Sequence, residues 1–112
     1  MNNTKERECD IQKSCISWFR NTYTDYLIFS VPNEGCYRRK NYFESLGMLS
    51  GVSDTIVILP NKTLFIEFKT LKSYQRPEQR EFENKVSKLG FSYFVCRSLE
   101  QFKDIIQSNL SC

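Results

Sequence analysis

GMLSGVSD (47–54), TIVILPNKTLFI (55–66) and EFK (67–69) form one continuous stretch whose reading decides the fold. Two β-prone runs, Thr55–Leu59 and Leu64–Lys69, flank a tight turn around Pro60, Asn61, Lys62 and Thr63. Asp54 stands at the start of the first run. Glu67 and Lys69, one residue apart, stand near the end of the second. If the turn pairs Leu59 with Leu64, the antiparallel ladder sets Ile56 opposite Glu67 and Asp54 opposite Lys69. Opposed residues share a face, as do residues two apart on a strand, so Asp54, Glu67 and Lys69 project together within about 5–8 Å. A one-residue slip would scatter them, because it sends every side chain of one strand to the other face.

Working outward, Asn2, Asn3 or Thr4 can cap a first helix that runs to about Arg20, with Ile11, Cys15, Trp18 and Phe19 as its apolar stripe. Tyr26–Val31 is a short strand stopped by Pro32, Asn33 and Gly35. A basic, helix-compatible stretch follows from Arg38 to Leu46 and ends at Gly47. Beyond the central hairpin, Pro77 opens a helix that Gly90 closes, with Phe82, Val86 and Leu89 on its buried side. Phe91–Cys96 is a further strand. Ser98 with Gln101 forms a capping box for a last helix whose inward residues are Leu99, Phe102, Ile105 and Ile106. The order αβ(α)ββαβα describes an α/β domain with a mixed sheet of about four strands. No repeat or linker divides residues 1–112, which read as one domain.

The acid–acid–lysine set has a chemical use. Two converging carboxylates hold a hard divalent cation such as Mg²⁺, which takes oxygen ligands and keeps several waters. The Phe68 carbonyl, between Glu67 and Lys69, offers a further ligand. Such a metal acidifies bound water and offsets charge growing on a phosphate oxygen. Lys69 would hold the attacking water or stabilise the transition state; adjacent carboxylates favour its charged form, which speaks against plain proton abstraction. The bland alternative is that Asp54 caps a turn while Glu67 and Lys69 are the solvated side of an edge strand.

Composition bounds the rest. The 112 residues carry a net charge of +3 from 16 basic and 13 acidic side chains, which permits a nucleic-acid partner without arguing for one. The basic residues are grouped: Arg38, Arg39 and Lys40 run together, and Lys72 and Arg76 follow the motif, where they suit phosphate contacts. Five cysteines without a CxxC pair, and no histidine, exclude the usual zinc constellations. Reduced thiols in a cytoplasmic protein are expected, with no signal peptide and no membrane span.

The run Gly-x-x-x-Gly-Val-Ser-Asp54, the Glu67-Phe68-Lys69 strand, and Gln79 before an amphipathic helix ending at Gly90 together resemble the VRR-NUC family of the PD-(D/E)xK nuclease superfamily. The resemblance extends from Glu8 to about Ile106. It implies a restriction-endonuclease-like core and phosphodiester hydrolysis dependent on Mg²⁺, with Mn²⁺ as substitute. It implies Asp54 and Glu67 as metal ligands, Lys69 as a catalytic group, a ligand role for Glu8 on the first helix, and a role for Gln79 near Lys69 or a phosphate. Ser53 departs from the family, which often has proline before the aspartate; that proline shapes backbone rather than binding metal. Stand-alone members are similar to Holliday-junction resolvases and often work as dimers.

The expectation is therefore a metal-dependent, structure-specific endonuclease acting on branched DNA, as a homodimer. No helix-turn-helix, zinc-finger or RNA-recognition signature is present to read sequence. The alternatives are a non-catalytic nucleic-acid-binding or assembly module, and a nicking or exonuclease-type enzyme without junction specificity.

Overall fold

A computed structural model of the chain describes residues 7–32 and 40–111, with the side chain of Lys40 excepted. Its elements run α1 (Glu8–Thr22), β1 (Leu27–Ser30), α2 (Lys40–Ser45), β2 (Thr55–Leu59), β3 (Lys62–Phe68), α3 (Pro77–Lys88), β4 (Ser92–Cys96) and α4 (Leu99–Leu110). The strands form one mixed sheet in the order β1-β2-β3-β4. β1–β2 and β2–β3 are antiparallel, and β3–β4 is parallel across α3. The expected α/β architecture with a four-stranded mixed sheet is the one observed.

Helix ends follow local chemistry. α1 begins at Glu8 with extended Arg7 as its N-cap, and the expected caps Asn2, Asn3 and Thr4 lie outside the described residues. Asp10, three residues on, supports this start: its carboxylate accepts the Arg7 backbone N–H at 3.2 Å. α3 starts at Pro77 and stops in a Schellman turn, with Gly90 at φ +94 and the Phe91 N–H bonded to the Val86 carbonyl. Leu89, expected on the buried side of α3, is instead 76% exposed, because the helix ends before it and the turn directs it outward. Ser98 caps α4 by accepting the Gln101 N–H at 3.0 Å, while the Gln101 side chain takes the Arg97 N–H.

The central hairpin corrects the expected register. Leu59 pairs with Lys62, not Leu64, and Ile56 lies opposite Phe65. The connection is the two-residue turn Pro60–Asn61, with Asn61 in the left-handed region at φ 59, and β3 accordingly begins at Lys62. Continuing the ladder brings Asp54 level with Glu67 rather than Lys69. Because the shift is two residues, the pleat parity is unchanged and the three side chains keep a common face.

One face of the sheet carries the core. Val57, Leu59, Leu64, Ile66, Phe68 and Cys96 are buried there against Ile11, Cys15 and Phe19 of α1 and Phe102 and Ile106 of α4. Each such side chain contributes on the order of 1.5–3 kcal/mol. On the other face, α3 covers β3 and β4 through Phe82, whose ring meets Phe65 and Tyr93 edge-on. No helix among the described residues is long and apolar enough to cross a membrane.

Candidate active site

The α3 face gathers the polar residues. Asp54 lies immediately before β2 and accepts the Phe68 backbone N–H through Oδ2 at 2.8 Å. Its carboxylate is thereby tied to the peptide between Glu67 and Lys69. Glu67 and Lys69 are 1% and 6% exposed. The Lys69 ammonium stands 3.9 Å from Glu67 Oε2, and its backbone N–H donates to the Cys96 carbonyl at 3.0 Å, extending the β3–β4 pairing.

Gln79 joins two elements. In the first turn of α3, its Oε1 accepts the Arg76 backbone N–H at 2.8 Å, which caps the helix. Its Nε2 donates to Glu67 Oε2 at 2.7 Å. One buried amide thus starts its own helix and sets the rotamer of the glutamate. Its contact is with Glu67, not with Lys69. The loop before Asp54 is locked to the same turn: Gly51 has φ +85, and a Cβ there would run into the Glu78 carbonyl.

The electrostatics record the crowding of charge. Burial raises the Glu67 carboxyl from 4.5 to about 8; Asp54 and Glu8 push the same way, while Lys69 and Arg76 oppose them. The Tyr93 hydroxyl is raised too, by burial first and then by the negative charge of Glu67. Glu67 Oε1 is buried with no hydrogen-bond partner, an arrangement that costs free energy unless another group meets that oxygen.

These residues fit a hard divalent cation. An orphaned carboxylate oxygen beside a second carboxylate is a donor set that Mg²⁺ satisfies while keeping several waters. Among the described residues no three Asp, Glu, Cys or His side chains gather into a ready cage. Glu8, half-buried at the start of α1, reaches Glu67 through its charge.

Of the basic residues singled out in the sequence, Lys72 and Arg76 lie exposed on the loop between β3 and α3, and Arg76 acts on the charge of Glu67. Arg38 and Arg39 fall outside the described residues, as does the Lys40 side chain. Three residues of the site's frame escaped sequence reasoning. Tyr93 lies on β4 opposite Phe65, a polar tip in an apolar strand, which was a readable signal. Gln75 donates to Glu83 Oε1 at 3.0 Å and to the Tyr93 hydroxyl at 3.3 Å. Arg97 donates to the carbonyls of Thr70 and Ser73; no local pattern marks either residue.

No family model matches the sequence, and no curated protein matches it. Solved structures do. A VRR_NUC domain protein superposes with a TM-score of 0.80 at 22% identity, covering 95% of this chain and 89% of its own. A second structure, a VRR_NUC domain, gives a TM-score of 0.66 at 25% identity over 92% of this chain and 97% of its own. The fold is that of the VRR_NUC domain.

Proposed function

We propose that this chain is a VRR-NUC-type nuclease that hydrolyses phosphodiester bonds in branched DNA with Mg²⁺, or Mn²⁺ in its place, as an endonuclease. The observation that carries the reading is the buried Glu67 carboxylate. One oxygen is fixed by Gln79 and faces Lys69, the other has no partner, and Asp54 is anchored one residue away on the β3 backbone. A stabilising role alone does not account for burying such a group, since desolvation opposes its ionisation.

Asp54 and Glu67 would hold the cation, with the Phe68 carbonyl and Glu8 as further oxygen donors. When bound, the ion supplies an acidified water and neutralises charge on the phosphate. The residues of the chain do the rest. Gln79 keeps the Glu67 carboxylate in one orientation. Lys69, desolvated and beside Glu67, donates to the attacking water or to a phosphate oxygen as charge grows there. Lys72 and Arg76, at the mouth of the site, take the flanking phosphates. Association of two copies belongs to the same proposal: Leu27, Phe29 and Ile58 leave an apolar strip exposed on the sheet beyond α3, and two coupled sites would read branch geometry rather than sequence.

The test is cleavage of labelled four-way junction and linear duplex in Mg²⁺, Mn²⁺ and EDTA, with Asp54→Ala and Lys69→Ala alongside. Metal-dependent cutting of the junction, lost by about a hundredfold or more in each variant, is the expected result. Equal cutting of junction and duplex would leave a nuclease without junction preference. Binding without cutting in either metal would sink the enzymatic reading in favour of a binding module. Sedimentation of the free protein decides the dimer.

A further inference from the structure

The loop that leaves the site after Lys69 carries a display with no role in the chemistry above. The Ser73 N–H closes a turn onto the Thr70 carbonyl at 3.3 Å, which puts Leu71 and Lys72 at the tip. The Thr70 and Ser73 hydroxyls bond each other, and Arg97, just beyond β4, donates to both carbonyls. One residue past Tyr74, the Gln75 side chain is bonded to Glu83 and Tyr93. The loop is therefore stapled on both sides of Tyr74. Yet Leu71 is 82% exposed and Tyr74 83% exposed.

The bonding of this frame fixes both apolar side chains in water, where their surface stays available for burial against a partner. Cations stand close by: Lys72 lies between them, and Arg76, two residues after Tyr74, is ion-paired with Glu78 at 3.6 Å. Beside Leu71 a cavity of about 790 Å³ opens toward the start of α1, bordered by Arg7, Glu8 and Ile11. That is ample room for an extruded base next to Glu8, one of the proposed metal ligands.

Apolar and aromatic surface set among cations fits a polyanion that exposes flat apolar faces, which describes a nucleic-acid strand with unpaired bases. We infer that Leu71 and Tyr74 engage unpaired nucleobases beside the scissile phosphate, Tyr74 by stacking and Leu71 as a wedge at the cavity mouth. The inference rests on the nuclease reading and deepens it. Paired bases bury their faces against one another and offer nothing to this loop, whereas a branch point or bulge does. Preference for distorted DNA would then reside in the protomer itself.

The experiment compares a duplex bearing a bulge of unpaired bases, one of them 2-aminopurine, with the same duplex fully paired. Binding is measured for the wild type, Tyr74→Ala, Tyr74→Phe and Leu71→Ser, and cleavage is followed in Mg²⁺ and Mn²⁺. Tyr74→Ala should weaken binding of the bulged DNA about tenfold and of the paired duplex by about twofold or less, with Tyr74→Phe retaining wild-type affinity. The wild type should quench the 2-aminopurine, and Tyr74→Ala should not. Unchanged binding of bulged DNA by Tyr74→Ala and Leu71→Ser, or equal losses on both DNAs, would overturn the inference. Failure of the nuclease reading looks different: the wild type cuts neither DNA with either metal, while the binding ratios still decide what the loop does.

Discussion

On the α1/α4 side of the sheet, Val57, Leu64, Ile66, Phe68 and Cys96 are sealed beneath two helices, whereas the α3 side carries buried Glu67, buried Lys69 just past β3, and exposed Leu27, Phe29 and Ile58. β3 holds both regimes in three consecutive residues, Ile66, Glu67 and Phe68, which are 0%, 1% and 0% exposed. Burial is equal and its meaning is opposite. Ile66 and Phe68 gain from leaving water. Glu67 loses by it, and its carboxyl is driven up to about 8. The first face supplies stability that the second uses to hold an unfavourable group in place.

Truncation in the core should produce the largest change in stability. Phe102 is fully buried and its ring meets Trp18, Phe19 and Phe68, so Phe102→Ala should lower the unfolding free energy by about 3–5 kcal/mol in urea titrations. A loss well under about 1 kcal/mol would mean that this face is not the one that holds the fold.

The opposite face should respond to pH. Between about 4.5 and about 8 folded Glu67 keeps a proton that the unfolded chain releases. The stability linked to it is therefore complete at the acid end and is lost as pH rises through the folded value. Thermal unfolding of the metal-free protein should show a midpoint falling across that window. Mg²⁺ should restore it at the alkaline end, and Glu67→Gln should flatten the dependence. A wild-type profile as flat as that of the variant would break the contrast between the faces.

Gly51→Ala sharpens it differently. The variant combines left-handed strain with a collision at the Glu78 carbonyl, at a cost of about 2–3 kcal/mol. It should weaken cleavage more than a core variant of equal stability does, because it pushes apart the loop bearing Asp54 and the turn bearing Gln79. Ser98→Ala, at the cap of α4, should cost about 1 kcal/mol in the same titrations.

Much of this arrangement was legible residue by residue. Pro60 and Asn61 marked the hairpin, Pro77 and Gly90 bracketed α3, and Ser98 announced α4, because each carries its conformational preference in its own covalent structure. Spacing put Asp54, Glu67 and Lys69 on one face. The expected register differs from the observed one by two residues because the length of the turn depends on whether Asn61 enters the left-handed region, which residues other than Gly, Asn and Asp rarely visit. The burial of Glu67 was not legible either: an acid at an alternating position has the same pattern whether its face meets water or α3.

By itself the sequence determined the elements, their order and the pleat parity that groups the acids with the lysine, since these depend on local dihedral preference and on a strand period of two. Tertiary structure decided what those side chains meet: the Gln79 amide on Glu67, the α3 backbone against Gly51, and Arg97 holding the loop of Leu71 and Tyr74 open. Such contacts join residues 12 to 27 positions apart. They form only when the chain closes on itself, so no window of sequence contains their energy.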